Sequence, residues 1–584
     1  MTIRQIHKKL LQRIPERSRL LLLSFLVGLC SGLAAVCLTW CIDIIKRLLD
    51  GSVSLPYNLH YLILPGVGML ISLLLLKYLI RDNISHGVTK VLLAVSRGES
   101  KIRPHNMWSS MLTSSITIGF GGSVGAEAPI VYTGAAIGSN LGRVFDLSYR
   151  NVTVLLGCGA AGAISGIFKA PLAGVLFTME ILLFNLSLSS MLPLLISTIS
   201  ATVVAYIFRG QTPMFACTLT PFSMGNIPFY LLMGVVLGFG SLYFTEATLW
   251  LEDKLGKFKN VYLKWACCAL ALGLMIFLFP QLYGEGYGVL SDLLNGREVS
   301  GGFVFGFLTG SGWGLVILFL LVFLVKVLAM TVTNAGGGNG GTFGPTLFCG
   351  AIAGFAMARC FNLLGAGVPE QNFVLVGMAA MMAGVMQAPM TAIFLIAEIS
   401  GGYELLIPLI IASTVSYGTT RIFEKYSIYT KRIAQSGDLL THDNDQAVLT
   451  LMSTRSLIRD KYPRIYIGGH LRDVVTAVQD NNAAVAAVLD KKGRFQGLID
   501  VGNIRKYLLR TDLYDVLKVV NVMEQAPALI NEDEKMDSVM YKFDSTGAWR
   551  LPVVDGARHY KGFISRSRLL TAYREELRAI SNSD

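Results

Sequence analysis

Glu127 is the residue with the most chemistry in its surroundings. It sits in Gly121-Gly-Ser-Val-Gly-Ala-Glu127-Ala-Pro129, a glycine-rich break in an apolar region. Pro129 suits the first residue of a helix, where its missing N–H costs nothing. The free N–H groups and the positive end of that helix then point into the break. Such a helix start, carried here by Gly125, Ala126, Ala128 and Pro129, attracts anions. Gly340-Gly-Thr-Phe-Gly-Pro345 repeats the device. Two converging helix starts would hold an anion by dipoles alone, weakly enough for it to leave again. Glu127 is itself an anion, so it can occupy the site, compete with a permeating ion, and withdraw once protonated. That is a gate sensitive to pH and, through ion competition, to voltage. The plainer role is a glutamate stabilising a helix dipole, but an ionisable group inside a membrane points to function.

The rest of the chain says that Glu127 does lie in a membrane. Of 584 residues, 53% are hydrophobic and 15% charged, against about 25% charged in a soluble domain. Disorder and collagen-like or disulfide-stapled folds are excluded. Residues 437–584 hold 21 Lys/Arg and 20 Asp/Glu, while residues 1–436 hold 29 and 18. A membrane domain is followed by a soluble one. Runs long enough to cross a bilayer are Leu20–Ile45, Leu59–Ile80, Ile227–Trp250, Trp265–Leu282, Phe303–Val332 and Leu405–Ile422. Regions near 107–145, 152–208 and 345–400 are apolar but interrupted, giving an expected bundle of ten or more helices. Arg4, Lys8, Lys9, Arg13, Arg17 and Arg19 precede the first span, so the positive-inside rule places this end in the cytoplasm, and both termini are expected there. A cleaved signal peptide is not expected. The net charge of +12 belongs mainly to the membrane part, so topology explains it better than nucleic acid. The nine cysteines all precede residue 361 and lack metal-ligand spacing; they read as core packing.

Two internal repeats organise these parts. Gly159–Ile181 matches Gly377–Ile399 at seven of 23 positions, including Ala170-Pro171 with Ala388-Pro389 and Glu180 with Glu398. Duplicated, interrupted segments point to a binding site near the membrane midplane. In the tail, Val488-Leu-Asp490 followed by Gly497-Leu-Ile499 recurs as Val553-Val-Asp555 followed by Gly562-Phe-Ile564. The tail is therefore expected to be two α/β modules.

These motifs together resemble the CLC family of chloride channels and chloride/proton exchangers. Gly125-Ala-Glu127-Ala-Pro129 is similar to the family's GREGP and Gly341-Thr-Phe343-Gly-Pro345 to GxFxP. Ser85-His-Gly-Val-Thr-Lys90 resembles its GSGIP segment, and Ser427-Ile-Tyr429-Thr430 the segment of its anion-coordinating tyrosine. The tail resembles a CBS-domain pair. The resemblance implies an all-α polytopic membrane domain of two inverted repeats, followed by the α/β pair. The implied boundaries are a cytoplasmic segment 1–19, transport domain 20–435, linker 436–448, and CBS domains 449–515 and 516–584. It further implies a homodimer with chloride as the transported ligand; the missing targeting signal fits a plasma or inner membrane. It makes Glu127 the gate, and the Thr342 and Phe343 N–H groups with the Tyr429 hydroxyl the anion donors.

The departures from the family pattern carry as much weight. His86 stands where many members have a serine donor. Either its imidazole donates to the anion, or the N–H groups of Gly87 and Val88 serve instead. Thr89-Lys90 replaces Pro-Glu, and Ala126 replaces an arginine beside the gate. Ile181 stands where exchangers commonly carry a second, inward-facing glutamate; isoleucine holds no proton. This favours a voltage- or pH-gated chloride channel, with a chloride/proton antiporter as the alternative. An intramembrane enzyme using Glu127 as general acid lacks a nucleophile, a metal motif or a Ser/His/Asp arrangement, so no enzyme is expected. Glu180 and Glu398 read as caps, Lys169 and Lys326 as helix-end or cavity-facing groups. In the tail, Asp500 leads to Asn503 and Ser565 to Arg568 where nucleotide-binding modules of this type place a ribose-contacting acid. A structural role is preferred there to an adenine nucleotide, and no other cofactor or metal is expected.

Overall fold

The computed structural model describes residues 15–52, 60–82, 84, 86–96, 100–182, 188–215, 219–297, 299, 302–436, 452–481 and 483–581. The basic residues Arg4, Lys8, Lys9 and Arg13, the motif residue Ser85, and all of the expected linker except Ser436 lie outside the described residues. The chain divides into two compact units, Met1–Leu439 and Leu440–Asp584.

Among the described residues of the first unit, nine helices are long and apolar enough to span a membrane, beside shorter apolar helices of 10–17 residues. Two expected spans shift. The Trp265–Leu282 run becomes the helix Val261–Leu278, capped by the Asn260 side chain on the N–H groups of Tyr262 and Leu263 and ended before Pro280. Phe303–Val332 is not one span. It breaks at Ser311, whose hydroxyl caps the helix Gly312–Ala335, and the glycines at 306 and 310 weaken any helix across the break.

The repeat predicted from sequence is plain in the backbone. Helices Glu127–Val144, Tyr149–Phe168 and Pro171–Phe177 recur as Phe343–Leu363, Glu370–Met386 and Pro389–Ile399. The second helix of each copy ends on a left-handed residue, Lys169 (φ 58°) or Gln387 (φ 53°), and Ala-Pro starts the next. The first two helices of each copy cross at paired glycines. A Cβ on Gly159 would lie 2.6 Å from the Gly134 carbonyl carbon, and one on Gly350 would lie 2.8 Å from the Met378 Cα. Small residues let helix backbones approach this closely where no hydrophobic force drives them together.

The copies also finish each other. Glu398 of the second copy accepts the N–H groups of Leu172 (3.0 Å) and Ala173 (2.9 Å) at the start of Pro171–Phe177. Glu180 of the first accepts those of Met390 (3.2 Å) and Thr391 (2.8 Å), and the Thr391 hydroxyl. These duplicated acids are caps, each at the positive end of the other copy's helix.

In the second unit, strands β1 (Arg464–Tyr466), β2 (Val485–Leu489) and β3 (Phe495–Asp500) form one sheet in the order β1-β2-β3. Strands β4 (Ile530–Asn531), β5 (Arg550–Val554) and β6 (Tyr560–Ser565) form the other in the order β4-β5-β6. Each sheet joins a parallel outer strand to an antiparallel hairpin, with a register shift at Val488/Leu489 and again at Val553/Val554. The repeated aspartates hold the hairpin turns. Asp490 Oδ1 accepts the N–H groups of Lys492 and Arg494, and Asp555 Oδ1 those of Ala557 and His559. Val485, Ala487, Phe495 and Leu498 pack with Val554, Tyr560 and Phe563 into one apolar cluster joining the modules.

Candidate functional site

The two glycine-rich breaks meet. Gly125 and Gly341 form an antiparallel bridge, donating to each other's carbonyls at 3.1 and 2.7 Å. Equivalent residues paired antiparallel are what a two-fold relation between the copies imposes. The helices that leave the bridge begin at Glu127 and at Phe343. Both therefore start two residues earlier than the proline signal suggested. Pro129 and Pro345 fall third in the first turn, where their missing N–H is still tolerated.

Glu127 is buried, with 1% of its surface exposed. Its Oε2 accepts the Gly344 N–H at 3.2 Å, so the carboxylate sits on the helix start of the opposite copy. Its Oε1 accepts from the Tyr287 hydroxyl. A Cβ at Gly125 would collide with this carboxylate, and one at Gly341 would stand 2.8 Å from the Ala128 Cβ. The glycines are there because the two starts and the acid fill the same small volume. The Ala126 N–H donates to Glu285 Oε1 at 3.2 Å. Lys326, fully buried, stitches the segments by donating to Ser123 Oγ (2.8 Å) and the Gly284 carbonyl (3.1 Å).

Two cavities adjoin these residues. A vestibule of about 390 Å³ has Asp43, Lys46, Arg209, Glu285 and Tyr287 on its wall. A narrow cavity of about 10 Å³ is lined by His86, Thr89, Gly341, Thr342, Tyr429 and Arg432. It has room for about one water-sized occupant. The Thr342 hydroxyl donates to the Tyr429 hydroxyl at 3.3 Å. Phe343 packs between the rings of Phe168 (5.5 Å) and Phe177 (6.2 Å), fixing the start of its helix.

His86, at φ 59°, precedes the helix Gly87–Ser96. Its Nδ1 is 3.0 Å from the Arg432 guanidinium, and its Nε2 is 3.8 Å from Glu252 Oε1. Arg432 also pairs with Glu252. A guanidinium only donates, so Nδ1 accepts and the Nε2–H faces Glu252. Both ring nitrogens are thus directed at side chains, while Gly87 and Val88 lie buried at the helix start. Ile181 is buried in the wide turn Thr178–Leu182, in the same apolar cluster as Phe343 and Tyr429, and brings no proton-carrying group there.

Sequence reasoning missed Glu285, Tyr287, Glu252 and Arg432. Gly284-Glu285-Gly286-Tyr287 carried a signal: two glycines flanking an acid after Pro280. Both glycines have positive φ (65° and 88°). A side chain at Gly286 would strike the Phe348 ring.

A duplicated bundle of interrupted helices, with opposed helix starts meeting at a buried carboxylate, is the architecture of membrane transport proteins. The family-level finding agrees: the sequence model described as "voltage gated chloride channel" matches residues 67–421, and that of the CBS domain matches residues 519–575. The chain belongs to the voltage-gated chloride channel family, CLC. It is 27% identical over 72% of its length to a Ralstonia nicotianae protein named as a ClcB-like chloride channel protein, 97% of which is covered. The H(+)/Cl(-) exchange transporter ClcA of Salmonella paratyphi B is 26% identical over 69% of this chain and 86% of that protein. The fold is that of a crystallised eukaryotic CLC transporter, with a TM-score of 0.62 at 18% identity, covering 94% of this chain and 98% of the other.

Proposed function

We propose that the chain moves chloride across a membrane in exchange for protons, with Glu127 as both gate and proton carrier. The supporting observation is the carboxylate itself, seated on the Gly344 N–H of the opposite copy's helix start. Chloride and a carboxylate make the same demand on such donors, so one excludes the other. A protonated Glu127 has no charge to hold it there and yields the site. On the other side of the bridge, the Thr342 and Phe343 N–H groups and the Tyr429 hydroxyl offer a weakly held ion dipoles rather than fixed charge, which suits turnover. The Gly87 and Val88 N–H groups continue that line of donors.

The named relatives include an exchanger, which supports proton coupling. Ile181 favours the second reading, a gated channel, because it leaves that position without a proton acceptor. In either case the protein works as a homodimer in a plasma or inner membrane with both termini in the cytoplasm, over the domain limits set out from the sequence. Its CBS pair serves a structural role.

Proton movement in chloride-loaded liposomes separates the two readings. An outward chloride gradient is expected to drive protons inward against their gradient. Glu127→Gln is expected to abolish that uptake and to make chloride flux independent of pH. Chloride efflux by the wild type without any proton movement would establish the channel reading.

A further inference from the structure

Glu127 has 1% of its surface exposed and does not itself reach the vestibule wall. Two neighbours bridge that gap, both from the Gly284–Tyr287 loop. Glu285 lines the vestibule and holds the Ala126 N–H, one residue before the gate. Tyr287 lines the vestibule and bonds Glu127 directly. The loop is pinned in place: the Gly284 N–H donates to the Gly121 carbonyl at 3.1 Å, and the Gly284 carbonyl accepts from Lys326 at 3.1 Å. Other charges facing Glu285 are Asp43 and Lys46 from the first helix, Arg209, Lys326, and Glu127 itself.

We propose that Glu285 is the proton port of the gate, taking protons from vestibule water and passing them to Glu127. The inference rests on the exchange reading. In the transfer, the O–H bond of the Glu285 carboxyl breaks and one forms on a carboxylate oxygen of Glu127. Glu285 becomes the carboxylate and reloads from water; proton release runs the same steps backward. The pair keeps one negative charge throughout, so the step separates no charge inside the protein. A phenol, with an ordinary pKa near 10 against about 4.3 for a glutamic acid, is the poorer proton store. Tyr287 orients Glu127, and Glu285 supplies it.

The test measures chloride and proton fluxes together in liposomes for wild type, Glu285→Gln and Glu285→Asp. Glutamine can still accept the Ala126 N–H, so the loop keeps its anchor. A positioned acid–base group contributes about a hundredfold or more to a proton transfer. Glu285→Gln is therefore expected to lose proton flux on that scale and chloride flux with it, because an unprotonated Glu127 keeps the site, whereas the double variant Glu127→Gln/Glu285→Gln is expected to recover chloride flux without proton flux. Glu285→Asp keeps a carboxyl and restores much of the proton flux. Proton coupling unchanged in Glu285→Gln overturns the proposal and leaves the exchange reading intact. Chloride flux still lost in Glu127→Gln/Glu285→Gln, where Glu127→Gln alone conducts, places Glu285 in the fold and also overturns it. A wild type that moves chloride and no protons removes the exchange reading and the port with it.

Discussion

Gly159→Ala adds one methyl group at the crossing of Glu127–Val144 and Tyr149–Phe168. The new Cβ would strike the Gly134 carbonyl oxygen and stand 2.6 Å from its carbonyl carbon and 3.2 Å from the Ala135 nitrogen. Carbon atoms prefer about 3.5–4.0 Å, so the helices must part by about 1 Å. All three obstructing atoms are backbone, and no rotamer change relieves them. Overpacking of this kind costs about 1–3 kcal/mol. The helical preference of alanine over glycine offsets up to about 1 kcal/mol of that. The displaced helix is the one that begins at Glu127, whose 3.2 Å bond to Gly344 has little slack. The expected phenotype is therefore double: a lower unfolding temperature in detergent, and chloride flux in liposomes that has lost part of its pH dependence. Gly418→Ala supplies the contrast, because its Cβ would meet nothing within 4 Å. That substitution is expected to stabilise by about 0.5–1 kcal/mol and leave flux alone. A Gly159→Ala protein that melts with Gly418→Ala, above wild type and with normal gating, would refute the close-crossing argument.

Two further outcomes test other parts of the fold. Glu398→Ala strips the acceptor from the Leu172 and Ala173 N–H groups, an expected loss of about 1–2 kcal/mol. Hydrogen exchange should quicken at residues 171–177 of the other copy rather than around residue 398. In the tail, the His559 and Ala557 N–H groups, with the His559 and Lys561 side chains, pull the Asp555 carboxyl from its ordinary 3.8 down to about 2. Its stabilisation is complete above the unfolded-state value of about 3.9 and disappears as the pH falls through about 2. Calorimetry should therefore find Asp555→Asn less stable than wild type at neutral pH and equal to it near pH 2.

What the sequence exposed was whatever repeats or breaks a pattern. Glu127, the two glycine-rich turns and the Glu180/Glu398 pair stand out because polar residues and prolines are conspicuous in apolar surroundings. The tail hairpins stood out because the Asp490 and Asp555 turns recur with the strands that flank them. Glu285 and Tyr287 did not, because their importance lies in distance: they are over 150 residues from Glu127 and join it only through the fold. Arg432 and Glu252 were hidden for the same reason. The short strands β1 and β4 were missed as well, since three and two residues hold no measurable alternation. The break at Ser311 was obscured because apolar residues continue through it on both sides.

The exchanged glutamates have a consequence for how the chain is made. The helix Pro171–Phe177 takes its acceptor from Glu398, 226 residues later. At about 5–20 residues per second, the ribosome needs roughly ten to forty-five seconds to bridge that interval. Throughout it, two N–H groups at the head of a finished helix wait in the membrane for a residue not yet synthesised. The first half thus leaves the ribosome as an incomplete structure, and a chain truncated before residue 398 never acquires that missing acceptor. Those two bare N–H groups are the local difference between the half-made protein and the whole one.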